Sequence, residues 1–151
     1  LWGLYGGVWH RIKEYYYDSR RAGVQKTDEE YAADLAAFAG NRNIAAVIVD
    51  PSAASFIQVL CRRNFRVIRA VNDVIGGIRY TSDLLKSGRI VICDTCNDAI
   101  REFSMYVWDT AAPGDTVVKK HDHAMDEIRY FASTVVRRLG EVPGAIAVER
   151  K

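Results

Sequence analysis

The sequence predicts a mixed α/β protein, a β-sheet flanked by helices. Short apolar runs bounded by turn residues recur at Leu1–Tyr5, Ala45–Val49, Phe65–Ala70 and Arg89–Cys93. Between them, apolar residues repeat at helical spacing. The run Ala45-Ala46-Val47-Ile48-Val49 has no polar interruption, as a central strand covered on both faces requires. Helices alternating with strands imply right-handed crossovers and a mixed sheet.

The elements follow in chain order. Leu1–Tyr5 and Val8–Tyr17 read as a β-hairpin, because Gly6-Gly7 supplies the positive φ angles of a tight two-residue turn. Asp18–Lys26 is polar and Arg-rich, hence a loop. Thr27 with Glu30 forms a capping box, Tyr31, Leu35 and Phe38 repeat at helical spacing, and Gly40 stops that helix. After the Ala45–Val49 strand come Asp50 and Pro51, and Ser52 is the expected cap of a helix running to about Arg63. Phe65–Ala70 is the next strand and Val74–Leu85 the next helix. Lys86-Ser87-Gly88 is a turn into the strand Arg89–Cys93. Asn97–Trp108 reads as a helix with Ile100, Phe103 and Val107 on one face. Ala111–Asp115 is a Pro/Gly loop, and Asp122 to about Leu139 is the last long helix, with a weakly patterned tail after Gly140.

A chain of 151 residues suits one domain, residues 1–151, with its own core. The hydrophobic fraction of 49% and charged fraction of 26% are ordinary for a globular protein. A net charge of +2 leaves any nucleic-acid contact to local basic patches. Cys61, Cys93 and Cys96 are too few for a disulfide framework and point to a reducing compartment. Cys93 and Cys96 form a lone CxxC, with no second pair to complete a zinc site. No apolar run approaches the ~20 residues of a membrane span, and nothing resembles a signal peptide. The chain begins at Leu1, inside a strand-like segment, so it is expected to be a piece of a longer polypeptide.

Candidate chemistry lies in two places. Asp50 directly follows an apolar strand, and ligand sites in open α/β sheets lie at the carboxyl ends of strands. The bland alternative is a turn acid, but with Ser52 as the helix cap Asp50 is spare. His123, Asp126 and Tyr130 fall at i, i+3 and i+7 on one helix face, while Ala124, Ile128, Phe131 and Val135 form a separate apolar face for docking on the core. The same spacing also suits a solvated polar face. Asp122 reads as the N-cap of this helix, and His121 and His10 as surface residues. Carboxylates with one imidazole suit hard cations such as Mg²⁺ or Mn²⁺. No phosphate-binding glycine loop occurs, since Gly6-Gly7 and Gly76-Gly77 lack the spacing.

These residues resemble a known family, the carboxyl-terminal nuclease domain of the large terminase subunit of tailed phages and prophages, of the PBSX-like type. The carrying segments are Glu14–Asp18, Ile48–Ala53, Asn72–Val74 with Gly77–Arg79, Glu102-Phe103 with Tyr106–Asp109, and Asp122–Asp126 with Ile128–Tyr130. The resemblance implies an RNase H-like fold, here without its first strand. It also implies a metal-dependent endonuclease that cuts concatemeric double-stranded DNA during packaging, using two Mg²⁺ or Mn²⁺ ions. Asp50 and Asp126 match the family's metal-binding acids, and His123 its histidine one turn earlier. The first-strand acid has no counterpart in the chain. No GxxxxGK(S/T) motif occurs, so the packaging ATPase domain is expected elsewhere in the parent chain. The small terminase subunit and the portal protein are the implied partners, the host bacterial cytoplasm the implied location.

DNA contact is expected from Lys119 and Lys120, just before the late helix, and from Arg79, Lys86 and Arg89, with Arg20, Arg21 and Lys26 in the loop after the hairpin. Two other readings stay open. One is an RNase H-like nuclease of resolvase or transposase type, and the other a non-catalytic interaction domain whose acids only cap turns.

Overall fold

The computed structural model describes residues 1–109, 117–118 and 122–140, with residues 139 and 140 by backbone alone. In chain order the elements are β1 (Trp2–Tyr5), β2 (Val8–Arg11), α1 (Ser19–Ala22), α2 (Asp28–Ala39), β3 (Val47–Val49), α3 (Ala54–Arg62), β4 (Val67–Arg69), α4 (Val74–Lys86), β5 (Ile90–Ile92), α5 (Asn97–Met105) and α6 (His123–Phe131). A π-helical segment, Ala132–Val136, joins α6 to α7 (Arg137–Gly140). The mixed α/β class is as expected. The described strands are hydrogen-bonded as two sheets, one in each of two compact units.

The hairpin unit comprises Leu1–Glu14 and the described residues from Val71 onward. β1 runs antiparallel to β2, and Gly6 and Gly7 turn the hairpin with φ of 57° and 79°. Both angles are positive, as the glycine pair demands. β2 also pairs in parallel with β5, Trp9 opposite Ile90 and Arg11 opposite Ile92. The strand expected to reach Tyr17 ends at Arg11, because the residues after it are drawn elsewhere. Glu14 turns to bond the backbone of α5, and Tyr15 and Tyr17 pack in the second unit. Leu84, Ile90, Ala99, Ile128 and Phe131 form the core, and Trp2 stacks on Phe131 at 4.1 Å.

Two helices depart from expectation. α5 stops at Met105, and its predicted apolar face is turned outward: Ile100, Phe103 and Val107 are 47%, 37% and 53% exposed. The buried face carries Ala99 and Glu102 instead, because the Glu102 carboxylate accepts the Ala124 N–H at the start of α6. The last helix runs as expected from His123, but its middle is a π turn, in which the Arg137 N–H reaches the Ala132 carbonyl. α4 packs against α6 and the π segment. A methyl group on Gly77 would lie 2.8 Å from Arg129 Cγ, so glycine permits the close approach.

The second unit comprises Tyr15–Ala70. Parallel strands β3 and β4 pair Val47 with Val67 and Val49 with Arg69. α2 and α3 pack together over a core of Ala32, Val49, Ile57, Val59 and Leu60. The Thr27–Glu30 capping box is present, and Gly40 follows α2 with φ 58°. The segment expected to be pure loop holds the short turn α1, whose first N–H groups, those of Arg20 and Arg21, are taken by the Asp18 side chain. Tyr31 meets Tyr17 and Phe56 edge-on.

Candidate functional site

Asp50 stands where the sequence placed it, directly after Val49 at the carboxyl end of β3. It is not spare. Its Oδ1 accepts from the Ser52 N–H at 2.8 Å and the Ser52 hydroxyl at 2.6 Å, an Asx turn that shapes the exit from the strand. Ser52 therefore does not cap α3. Ala53 occupies the N-cap position and makes no side-chain cap bond. The turn at Pro51-Ser52 uses the serine one residue too early to serve the helix.

His123 and Asp126 both lie on α6, one turn apart, with His123 exposed and Asp126 partly so. The opposite face buries Ala124, Ile128 and Phe131 as expected, while Val135 is only half-buried; Met125 and Arg129 are buried too, Arg129 one turn beyond Asp126 and beside it. Arg129 is 2% exposed. Its Nη2 and Nε donate to Asp126 Oδ1 at 2.8 and 3.3 Å, and its Nη1 donates to Asn72 Oδ1 at 3.2 Å and the Asp73 carbonyl at 3.3 Å. The guanidinium carbon also lies 4.5 Å from the centre of the Tyr130 ring. The Tyr106 phenol is pushed above its ordinary pKa, first by burial and then by the negative charge of Asp126. It therefore stays protonated beside that carboxylate.

Asp122 holds the N-cap position of α6, but its backbone, at φ −115° and ψ 10°, is not the extended one a capping side chain needs. Glu102 does that work from α5, at 2.7 Å to the Ala124 N–H. α5 is served in the same way. Glu14 accepts from the N–H groups of Asp98 at 2.7 Å and Ala99 at 3.2 Å. Burial works to raise the Glu14 carboxyl, but the Arg11 guanidinium and these two amides outweigh it and hold the pKa below the usual range. Arg11, itself 5% exposed, bridges Glu14 at 2.8 Å to Glu127 at 2.9 Å, and Glu127 also takes the Trp2 indole N–H. Sequence reasoning missed this network. Its only local signal is the i, i+3 spacing of Arg11 and Glu14.

Of the expected DNA contacts, Arg79 and Lys86 are exposed on α4, seven positions apart and thus on one face, and Arg89 is exposed just before β5. Lys119 and Lys120 lie outside the described residues. Arg20 and Arg21 are exposed. The Lys26 ammonium is committed to Asp34 and Tyr15 and lies 4.3 Å from the Tyr17 ring centre, and the Asp34 bond chiefly raises its pKa.

Among the described residues no group of three or more His, Cys, Asp or Glu side chains is placed to hold a metal ion. That does not disqualify Mg²⁺ or Mn²⁺. Such ions keep several waters and need only one or two protein carboxylates, with substrate phosphate completing the shell. A partly exposed carboxylate, anchored from behind by a buried guanidinium and one helical turn from an imidazole, suits that donor set. Cys93 and Cys96 are free thiols, and Cys96 donates to the Arg11 carbonyl.

The units define a mixed α/β protein with one acid at a strand end and an acid and an imidazole on a late helix. Solved structures of the large terminase from a thermophilic bacteriophage share the fold. A crystal form of that protein in complex with ADP matches with a TM-score of 0.87 and 46% identity, covering 89% of this chain and 35% of that one. The same terminase without a named ligand, and in complex with ATP-γ-S, gives the same score and identity and covers 36% of the terminase chain. No family model and no curated protein sequence matches. The chain is thus similar to part of a phage large terminase subunit, and spans about a third of the length of the terminase chains it matches.

Proposed function

We propose that the chain is the nuclease portion of a phage or prophage large terminase, an RNase H-like, metal-dependent endonuclease that cuts concatemeric double-stranded DNA during packaging. The observation that carries this reading is the likeness to a large terminase over 89% of the chain, together with an acid at the end of β3 and a His–Asp pair on α6. Asp50 and Asp126 would hold Mg²⁺ or Mn²⁺, with His123 at the edge of the site. Bound as a pair, such ions activate water and neutralise the leaving oxygen of a phosphodiester. His123, exposed one turn before Asp126, would in this reading hold or pass a proton at its imidazole nitrogen. Arg79, Lys86 and Arg89 offer the phosphate backbone sequence-independent contacts.

The thermophilic phage terminase structures include complexes with ADP and ATP-γ-S, and this chain has no GxxxxGK(S/T) motif. Both facts support an ATPase domain elsewhere in the parent polypeptide. A small terminase subunit and a portal protein are its partners in this reading, and the host cytoplasm its location. No helix among the described residues is long and apolar enough to cross a membrane.

The test is cleavage of plasmid DNA by the domain in Mg²⁺ or Mn²⁺. Asp50→Asn and Asp126→Asn should each abolish cutting, because the amide keeps the shape and loses the charge. Cutting in excess chelator would refute the reading. One observation favours a non-catalytic interaction domain: Asp50 and Asp126 both make local structural bonds. Under that reading Mn²⁺ titration gives no saturable binding dependent on either acid.

A further inference from the structure

We propose that Arg129 is the positioning residue of the candidate metal site, setting the orientation of the Asp126 carboxylate from the buried side of α6. The inference rests on the reading that Asp126 takes a cation. An exposed i, i+3 ion pair on a helix fixes little, because both side chains are free to move. Here one partner is immobile. The Arg129 side chain is 3% exposed and that of Asp126 is 28% exposed, so the carboxylate faces water and the guanidinium is sealed behind it.

Arg129 is also held from outside its own helix. Nη1 donates to the Asn72 side chain and the Asp73 carbonyl, on the segment leading into α4. The stem passes over Gly77 of α4, where an added Cβ would sit 2.8 Å from Cγ and 3.1 Å from Cδ of Arg129 and 2.9 Å from the Ser133 hydroxyl. The fork that reaches Asp126 is thus registered against α4 and the Asn72-Asp73 segment. Only a guanidinium can meet the two carboxylate-facing and two segment-facing bonds together, because lysine offers a single nitrogen. Gly76-Gly77, which has no phosphate-loop spacing, has a physical role here. Gly76 accommodates the Asp73 cap and Gly77 the arginine.

Positioning and simple charge give opposite signs. A cation beside a carboxylate repels an incoming metal ion, so if Arg129 acted only by charge, neutralising it would tighten Mn²⁺ binding. If it orients Asp126, its loss weakens binding despite the relieved repulsion. The experiment is a calorimetric Mn²⁺ titration of the full chain, run well below each variant's melting temperature, on wild type, Asp126→Asn, Arg129→Lys, Arg129→Met and Gly77→Ala. The expected result is loss of binding in Asp126→Asn and weakening by about tenfold in both Arg129 variants and in Gly77→Ala, the scale for removing a partner that orients a metal ligand. Binding in Arg129→Lys within twofold of wild type, or tighter binding in Arg129→Met, with Asp126→Asn inactive, overturns the positioning role and leaves the site reading standing. Wild-type binding unaffected by Asp126→Asn removes the site reading and the proposal with it. Should the Arg129 variants not fold, unchanged affinity in Gly77→Ala overturns the proposal.

Discussion

Glu102 is fully buried, and its carboxylate accepts the Ala124 N–H at 2.7 Å. Glu102→Ala removes a hydrogen bond to a charged group, about 1.5–3 kcal/mol, and leaves the Ala124 donor without its acceptor. It also empties the space of one methylene and the carboxyl group, which adds about 1 kcal/mol. Relief from burying a charge offsets part of this, so the expected net loss is about 2–4 kcal/mol. At about 3 °C per kcal/mol for a domain of this size, the melting temperature should fall by roughly 6–12 °C. Glu102→Gln keeps the shape and an acceptor oxygen and gives up only the charge facing the helix amino terminus, so it should cost about 1 kcal/mol. Differential scanning calorimetry of the three proteins checks both values. Melting of Glu102→Ala within about 1 °C of wild type would show that α6 does not depend on this bond.

Other outcomes follow from the same geometry. The Glu14 carboxyl is held below its ordinary pKa when folded. Its contribution is therefore present above the unfolded value of about 4.3 and is lost as pH falls through the lower folded value. Glu14→Gln should flatten the acid limb of a melting-temperature profile below about pH 4.3, and an unchanged slope there would contradict the assignment. His123→Ala should lower DNA cleavage by about 10²-fold, with little change in melting because the side chain is exposed, and wild-type cutting at saturating Mn²⁺ would make it a bystander. Ile100→Lys should shift stability by no more than about 0.5 kcal/mol. A loss several times larger in urea unfolding would mean that α5 docks by the face its sequence pattern suggests.

What is legible in the sequence is what neighbouring residues decide. The Gly6-Gly7 turn and the Thr27–Glu30 capping box appear as read, because each is settled within a few residues. The run ending at Val49 does form a strand, but only over Val47–Val49, paired among the described strands with β4 alone and with Ala45 exposed, so it is not the covered central strand that its unbroken apolar pattern suggests. The register of α5 is not legible, because Glu102 serves a helix 22 residues away, and no periodicity rule expects a buried glutamate between exposed Ile100 and Phe103. Ser52 misses the expected cap by one position, its hydroxyl going to Asp50. On the candidate site, residue types place Asp50, His123 and Asp126 on their elements. Arg129 passes in the sequence as an ordinary helix charge, because its burial depends on a glycine 52 positions earlier in the chain.

The amino termini of α5 and α6 tie the hairpin unit together. Each takes its capping acceptor from a distant residue, across 84 positions from Glu14 to Asp98 and 22 from Glu102 to Ala124. Neither helix has a side-chain bond from its own N-cap residue, so each relies on a tertiary contact to satisfy its first amides. The first turn of α5 therefore depends on the segment that follows the hairpin, and that of α6 on α5. The start of the helix bearing His123 and Asp126 is thus fixed by a buried carboxylate from another helix, so a change in α5 at Glu102 reaches the candidate site without touching it.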